Sequence, residues 1–513
     1  MVKNRLYNLV ITIILVMCVS SCQKKNDYAN VIPADANAIA AIHLQTIASK
    51  AGLNDNENKA ALQKLTDALK SGMSTNSFEQ LKKILKDSRQ SGIDMSAPLY
   101  AFKAESFPYP TLVAKVNSQK KVAELFKTLE KEKICTALNE TNGVQYTEIG
   151  EQMLFAFNGS ALLCISRDII DSKEEIKEKV AKLLKQTEKS SIVSTSVFKE
   201  MQKNKGEVVM LLSPSSMLGE YAQQLNFGLP QDIDITGLWL IGNLSFEKGK
   251  IVMSYKNYTE NENLKKQFKK QENSLMPTKS TYLNLFPKST LAILNVGING
   301  ETIYNLLQEN KEFRANISTT DDADLKALLS SLQNDLTIGV INASMEDVPT
   351  FLAYGNIKNR KAIDLLYNSK GDKATRNIIK LNQDQYLFQS ESIRFFYSIK
   401  GDKICITNKE SELKNLGKSF NPSVNDFDFS TEMKGKDIAF VVNTEAILAL
   451  PALKTLVQYG GPEYAAYYTL AQKTEYLELF SNKEKTDIIL QLKDKNENAL
   501  KQIVDFIKTF AGL

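Results

Sequence analysis

Hydrophobic positions follow two rhythms along this chain. Short runs such as Ile39–Leu44, Leu99–Phe102, Leu162–Ile165, Val208–Leu212 and Ile438–Val442 have the length and flanking residues of strands. Between them apolar residues return every three or four places. Val122, Leu125, Phe126 and Leu129 make one face of a helix expected over Lys120–Lys131, and Leu62, Leu65 and Leu69 mark one side of a charged two-helix insert over Asn54–Ser91. Strands joined by short hairpins, with amphipathic helices on the remaining connections, predict an α+β fold with largely antiparallel sheets, and no βαβ regularity is visible.

The signals occur twice in the same order, which predicts two tandem similar repeats. Pro33-Ala34-Asp35-Ala36-Asn37-Ala38-Ile39 is answered by Pro287-Lys288-Ser289-Thr290-Leu291-Ala292-Ile293, each opening a strand after a proline. Pro110-Thr111-Leu112-Val113-Ala114 is answered by Pro349-Thr350-Phe351-Leu352-Ala353, each leading to a helix, the second expected over Lys358–Tyr367. Hairpins are expected at Asn158-Gly159, where both turn positions favour positive φ, and at Gly401-Asp402. Gly206 and Gly435 precede the strands Val208–Leu212 and Ile438–Val442, followed by helices from Ser215 and Thr444. Those helices are expected to stop at Phe227-Gly228-Leu229-Pro230 and Tyr459-Gly460-Gly461-Pro462. Final hairpins near Glu247–Lys250 and Asn482–Lys485 lead to helices Glu262–Gln271 and Asn498–Phe510. The repeats are placed at residues 31–273 and 274–513, with the boundary in the polar stretch Lys270–Ser280.

Residues 1–21 have the layout of a secretory signal: Lys3 and Arg5, an apolar run Leu9–Val19, then Ser20-Ser21. Eleven apolar residues would rise only about 16 Å as a helix, half of a ~30 Å hydrocarbon core, so the run suits export rather than a permanent span. Val19-Ser20-Ser21-Cys22 resembles the bacterial lipobox, which implies a lipid anchor on Cys22, palmitate or a similar acyl group, and attachment to a membrane. Residues 22–30 read as a tether. The sequence after Cys22 points to the outer membrane of the bacterial cell envelope, on the periplasmic face.

Composition narrows the chemistry. The formal charge of +5, or +3 once the two cations of residues 1–21 are gone, makes no nucleic-acid footprint. The single histidine, His43, excludes sites that need two or three imidazoles. Read as a strand residue it shares a face with Ile39 and Ala41, and no Gly-x-Ser-x-Gly elbow offers it a nucleophile. Phosphate-binding glycine loops are absent, and Asp321-Asp322-Ala323-Asp324 reads as the acidic start of a helix Leu325–Leu332 rather than a cation loop. Beyond Cys18 and Cys22 only Cys135, Cys164 and Cys405 remain; the last two stand inside apolar strands and read as core thiols. No cofactor, metal, nucleotide or nucleic acid is expected.

With the lipobox, the Ile32-Pro33-Ala34-Asp35-Ala36 opening, Gly92-Ile93-Asp94 before Leu99-Tyr100-Ala101-Phe102, and the doubled layout, the chain resembles a Bacteroidota lipoprotein family of unknown function, domain of unknown function 4836. The resemblance implies location and brings no reaction or active-site residue.

Tyr459, Tyr464, Tyr467 and Tyr468 form the densest aromatic group, and the last three share one helical face, the candidate ligand-binding platform. The expected function is a membrane-anchored, non-enzymatic binding or scaffolding module with an envelope protein or glycan as partner. The alternative is an envelope hydrolase using carboxylates in a cleft between the repeats. Converging buried carboxylates favour the second, a broad apolar patch the first.

Overall fold

A computed structural model describes residues 27–53, 59–168, 170–215, 234–309, 314–315, 319–344, 347–358, 360, 377–389, 394–459 and 461–511. The signal, Cys22, the continuation of the helix from Ser215 with its end at residues 227–230, and most of the helix expected over Lys358–Tyr367 lie outside these residues. The fold is α+β with a large antiparallel sheet.

Contacts divide the chain into two compact units. The first takes the described residues up to 215, Gly237–Tyr258 and those from Asn496 onward; the second takes Thr259–Lys495. The expected division after residue 273 follows the order of signals along the chain, whereas spatial grouping gives helix Glu262–Ser274 to the second unit and helix Ala499–Ala511 to the first.

Among the described residues ten strands belong to the first unit: β1 (Ala36–Ile42), β2 (Leu99–Ala104), β3 (Thr111–Lys115), β4 (Asn139–Thr141), β5 (Val144–Ile149), β6 (Met153–Phe157), β7 (Ala161–Ser166), β8 (Val208–Leu212), β9 (Leu238–Glu247) and β10 (Lys250–Thr259). They pair in the order β4-β5-β6-β7-β3-β2-β1-β8-β9-β10. Helices cover both faces of this sheet. Lys173–Leu184 and Ser196–Met201 bring Ile176, Val180, Leu183 and Phe198 onto one face, beside Ile39, Val113 and Leu163. Thr75–Lys86 and Gln119–Lys131 bring Leu81, Ile84, Val122 and Phe126 onto Phe155, Phe157 and Leu162 of the other. The Gln119–Lys131 helix starts where Ser118 accepts a hydrogen bond from the Lys121 amide, as an N-cap should.

The second unit has β11 (Ala292–Asn299), β12 (Leu332–Asn342), β13 (Thr350–Ile357), β14 (Asn377–Lys380), β15 (Gln385–Gln389), β16 (Arg394–Lys400), β17 (Lys403–Thr407), β18 (Ile438–Asn443), β19 (Thr474–Ser481) and β20 (Thr486–Leu492). They pair in the order β14-β15-β16-β17-β13-β12-β11-β18-β19-β20. Strand for strand, that is the succession found in the first unit.

Several local expectations are corrected. At Asn158 and Gly159 φ is not positive; the Asn158 side chain instead closes the turn by accepting from the Ser160 and Ala161 amides. The turn with positive φ at both positions is Asn142-Gly143, between β4 and β5. The acidic cluster opens no helix at 325: the helix is Thr319–Ser331, and Leu332 already begins β12. The helix at Thr444 ends at Leu448, a second runs Pro451–Tyr459, and Pro462 starts a third to Gln472 because proline suits a first helical turn.

Candidate functional site

His43 is not a strand residue. β1 ends at Ile42 because the chain turns there into helix Leu44–Lys50, with His43 at the N-cap, while its amide still donates to the Glu207 carbonyl in register with the β1–β8 ladder. Its Nδ1 is buried without a hydrogen-bond partner among the described residues, and the corresponding place in the second unit, identified by the Gly297 amide donating to the Asp437 carbonyl, has no side chain. A bare Cα is required there: a Cβ on Gly297 would stand 1.8 Å from the Met276 carbonyl oxygen. An imidazole present in one unit and impossible in the other supports no paired chemistry.

The thiols are inert. Cys135 and Cys405 are buried, Cys164 is half-buried, and all three are free. Burial pushes Cys164 up to about 12 and Cys405 up to about 11, the opposite of nucleophile activation. Asp322 accepts from the Tyr304 hydroxyl and the Gln308 amide, so it ties two helices together. Among the described residues no three His, Cys, Asp or Glu side chains could hold a metal.

Four buried carboxylates hold chain segments in place. Asp94 accepts from Ser96 and pairs with Lys115 at 3.0 Å, two residues after Gly92, whose φ of +81° only glycine adopts comfortably. Asp335 accepts from the Lys279 and Thr281 amides at 2.7 and 2.8 Å. Glu207 pairs with Lys50 at 2.8 Å and accepts from the Phe246 amide at 2.7 Å. Asp437, its counterpart before β18, is pushed up by burial, an effect eased by Lys483.

The tyrosines are exposed. Tyr459 ends helix Pro451–Tyr459 at 79% exposure, Tyr464 and Tyr467 on Pro462–Gln472 stand at 50% and 73%, and Tyr468 is half-buried. Neither Tyr464 nor Tyr467 is therefore packed in the core. The two helices present uncharged aromatic rings where lysine or glutamate would be usual.

Helices Thr444–Leu448 and Pro462–Gln472 pack along β19, beside a surface the sequence did not single out. Across β12, β11, β18, β19 and β20 the ladder registers align Ile338, Leu294, Phe440, Leu479 and Ile488 in one row, all half-buried. A second row on the same face aligns Val340, Ala292, Val442, Leu477 and Leu490, with Leu477 41% exposed. The opposite, covered face carries the polar groups: Asn295 and Thr337, both fully buried and bonded to one another at 2.9 Å, with Asp335 and Glu478. Ordinary half-solvated sheets place polar residues on the wet side. Here the solvent-reachable side is hydrocarbon.

Among the described residues no helix is long and apolar enough to cross a membrane. No curated relative matches the chain. Crystal forms IV and I of TP0453 are similar at 13% and 11% identity, covering 45% and 49% of this chain and 81% and 88% of theirs, each with a TM-score of 0.25. Crystal form III is similar at 11% identity over 50% of this chain and 90% of that one, with a TM-score of 0.24. The model of the Domain of unknown function (DUF4836) matches residues 28–500, and the chain belongs to that family.

Proposed function

We propose that the protein is a Bacteroidota envelope lipoprotein, moored through a lipid on Cys22 to the outer membrane on its periplasmic side, whose body binds a partner without catalysing a reaction. One observation carries the binding reading: the solvent-reachable aliphatic face of β12-β11-β18-β19-β20, a broad apolar patch of the kind that marks interaction sites. The exposed Tyr464 and Tyr467, with the half-buried Tyr468, extend it with rings that offer area at low entropic cost. We also propose that the two units are tandem similar repeats from a duplicated ancestor; the shared strand succession and the paired bonds at His43–Glu207 and Gly297–Asp437 support this reading.

Labelling with radioactive palmitate tests the anchor: the wild-type chain takes up label and fractionates with membrane, and Cys22→Ala does neither. Equal labelling of Cys22→Ala overturns it. Crosslinking in the native envelope followed by mass spectrometry tests the binding role, with Tyr464→Ser/Tyr467→Ser expected to lose partner adducts.

A further inference from the structure

We propose that the accessible face of β12-β11-β18-β19-β20 is a binding site for an alkyl chain, the hydrocarbon part of a lipid. The assignment rests on the binding-module reading above and names the ligand for it.

The chemistry of the two rows selects the ligand. Their ten side chains include no charge, donor or acceptor. The backbone offers none either, because β11, β18 and β19 each pair on both sides and spend their amides and carbonyls in ladders. A peptide or sugar laid here would leave its own polar groups desolvated without partners, a cost that no contact on this face offsets. Ser481 and Thr486, in the row beside Leu479 and Ile488, already share a hydrogen bond at 2.9 Å. A saturated chain has nothing to satisfy.

Size points the same way. Five strands spaced ~4.8 Å apart make a row about 19 Å long, which suits an extended slender chain. Ten half-covered side chains offer on the order of 400 Å², about half of the ~800 Å² each partner contributes to a stable protein interface, so a second copy of this protein is the poorer fit.

The first unit supplies an internal control. Its corresponding row is Ala101, Ala40, Met210 and Gly242, and the next row is the exposed Lys103, Ala38, and the half-buried Leu212 and Leu240. With alanine or glycine at four of these eight places and a cation at a fifth, this face offers less hydrocarbon than the second unit's, so the site belongs to the second unit.

The test uses the purified full-length chain with two probes: a dansyl-labelled C11 fatty acid followed by fluorescence, and phosphatidylethanolamine vesicles followed by native mass spectrometry of the re-isolated protein. One fatty-acid equivalent is expected to bind, weakened at least tenfold by Phe440→Asp and severalfold by Leu479→Ala, with Met210→Asp within twofold of wild type. Circular dichroism identifies any variant that has unfolded, and the milder Leu479→Ala keeps the result interpretable in that case. Uptake of phospholipid from vesicles identifies a bilayer lipid as the source, whereas uptake of the free acid alone identifies a fatty acid; either supports the site. Equal binding by wild type, Phe440→Asp and Leu479→Ala overturns it, as does an equal loss in Met210→Asp. Absence of alkyl binding, with a photoreactive group at Leu477 crosslinking to a protein or glycan, overturns the lipid assignment and leaves the binding module standing. Neither uptake nor crosslinking overturns both.

Discussion

The two sheets have the same strand succession and different side chains on one face. In the first unit the central row is Ala101-Ala40-Met210-Gly242; in the second it is Ile338-Leu294-Phe440-Leu479. Backbone pairing is therefore indifferent to which row it displays, as ladder bonds are made by main-chain groups common to all residues. Specialisation resides in side-chain volume on a face that folding leaves partly uncovered. A sheet can acquire a binding surface by substitution at four or five positions without altering its topology.

Substitutions at matched positions can break that comparison. The largest expected difference is between Gly297→Ala and His43→Ala. A methyl group at Gly297 meets the Met276 carbonyl, and relief requires moving the backbone, so a loss of roughly 3 kcal/mol is expected; His43→Ala is expected to cost under ~1 kcal/mol. Urea melts of the two variants check this, and equal midpoints would mean the units are not built alike at this point. Next come the paired carboxylates. Glu207→Ala strands the Phe246 amide and takes the partner from the half-buried Lys50, and is expected to cost about 1–2 kcal/mol by thermal denaturation.

Asp437→Asn is expected to move stability the other way. Burial raises the Asp437 carboxyl above its unfolded value, so the folded state favours the protonated acid. That preference adds stability at low pH and loses it as pH rises through the folded-state value. Asparagine, neutral throughout, should melt a degree or two higher at pH 7 and show no advantage below the unfolded-state carboxyl range. A lower melting point at pH 7 would show that Lys483 outweighs burial. Last are two tyrosines. The Tyr28 hydroxyl donates to the Pro98 carbonyl at 2.6 Å, whereas the buried Tyr282 hydroxyl has no partner among the described residues. Tyr28→Phe should cost about 1 kcal/mol and Tyr282→Phe should be neutral or stabilising, read from denaturant midpoints.

Strands and most helices could be anticipated because burial imposes a period on the sequence. Pro33 and Pro287 do precede β1 and β11, Pro110 and Pro349 precede β3 and β13, and Val122, Leu125, Phe126 and Leu129 are all buried on one helix face. The accessible hydrocarbon face was hidden for a related reason. β11 reads Ala292-Ile293-Leu294-Asn295-Val296, apolar on both sides, and such a strand resembles one covered on both sides. The one polar residue, Asn295, is on the buried face because Thr337 satisfies it, which reverses the usual inference from polarity to exposure. Tyr464 and Tyr467 repeat at helical spacing, a pattern identical for a core stripe and a displayed one; only the neighbouring elements decide. His43 stands one residue beyond the strand, since helix Leu44–Lys50 starts directly after it and takes it as N-cap.

The grouping of Ala499–Ala511 with the first unit sets an order of assembly. Strand β9 was synthesised some 250 residues before the helix that Asn498 fastens to the Phe246 carbonyl. During vectorial synthesis, then, the amino-terminal unit stays unfinished until helix Ala499–Ala511 has been made, and losing that segment damages the part of the molecule that was made first.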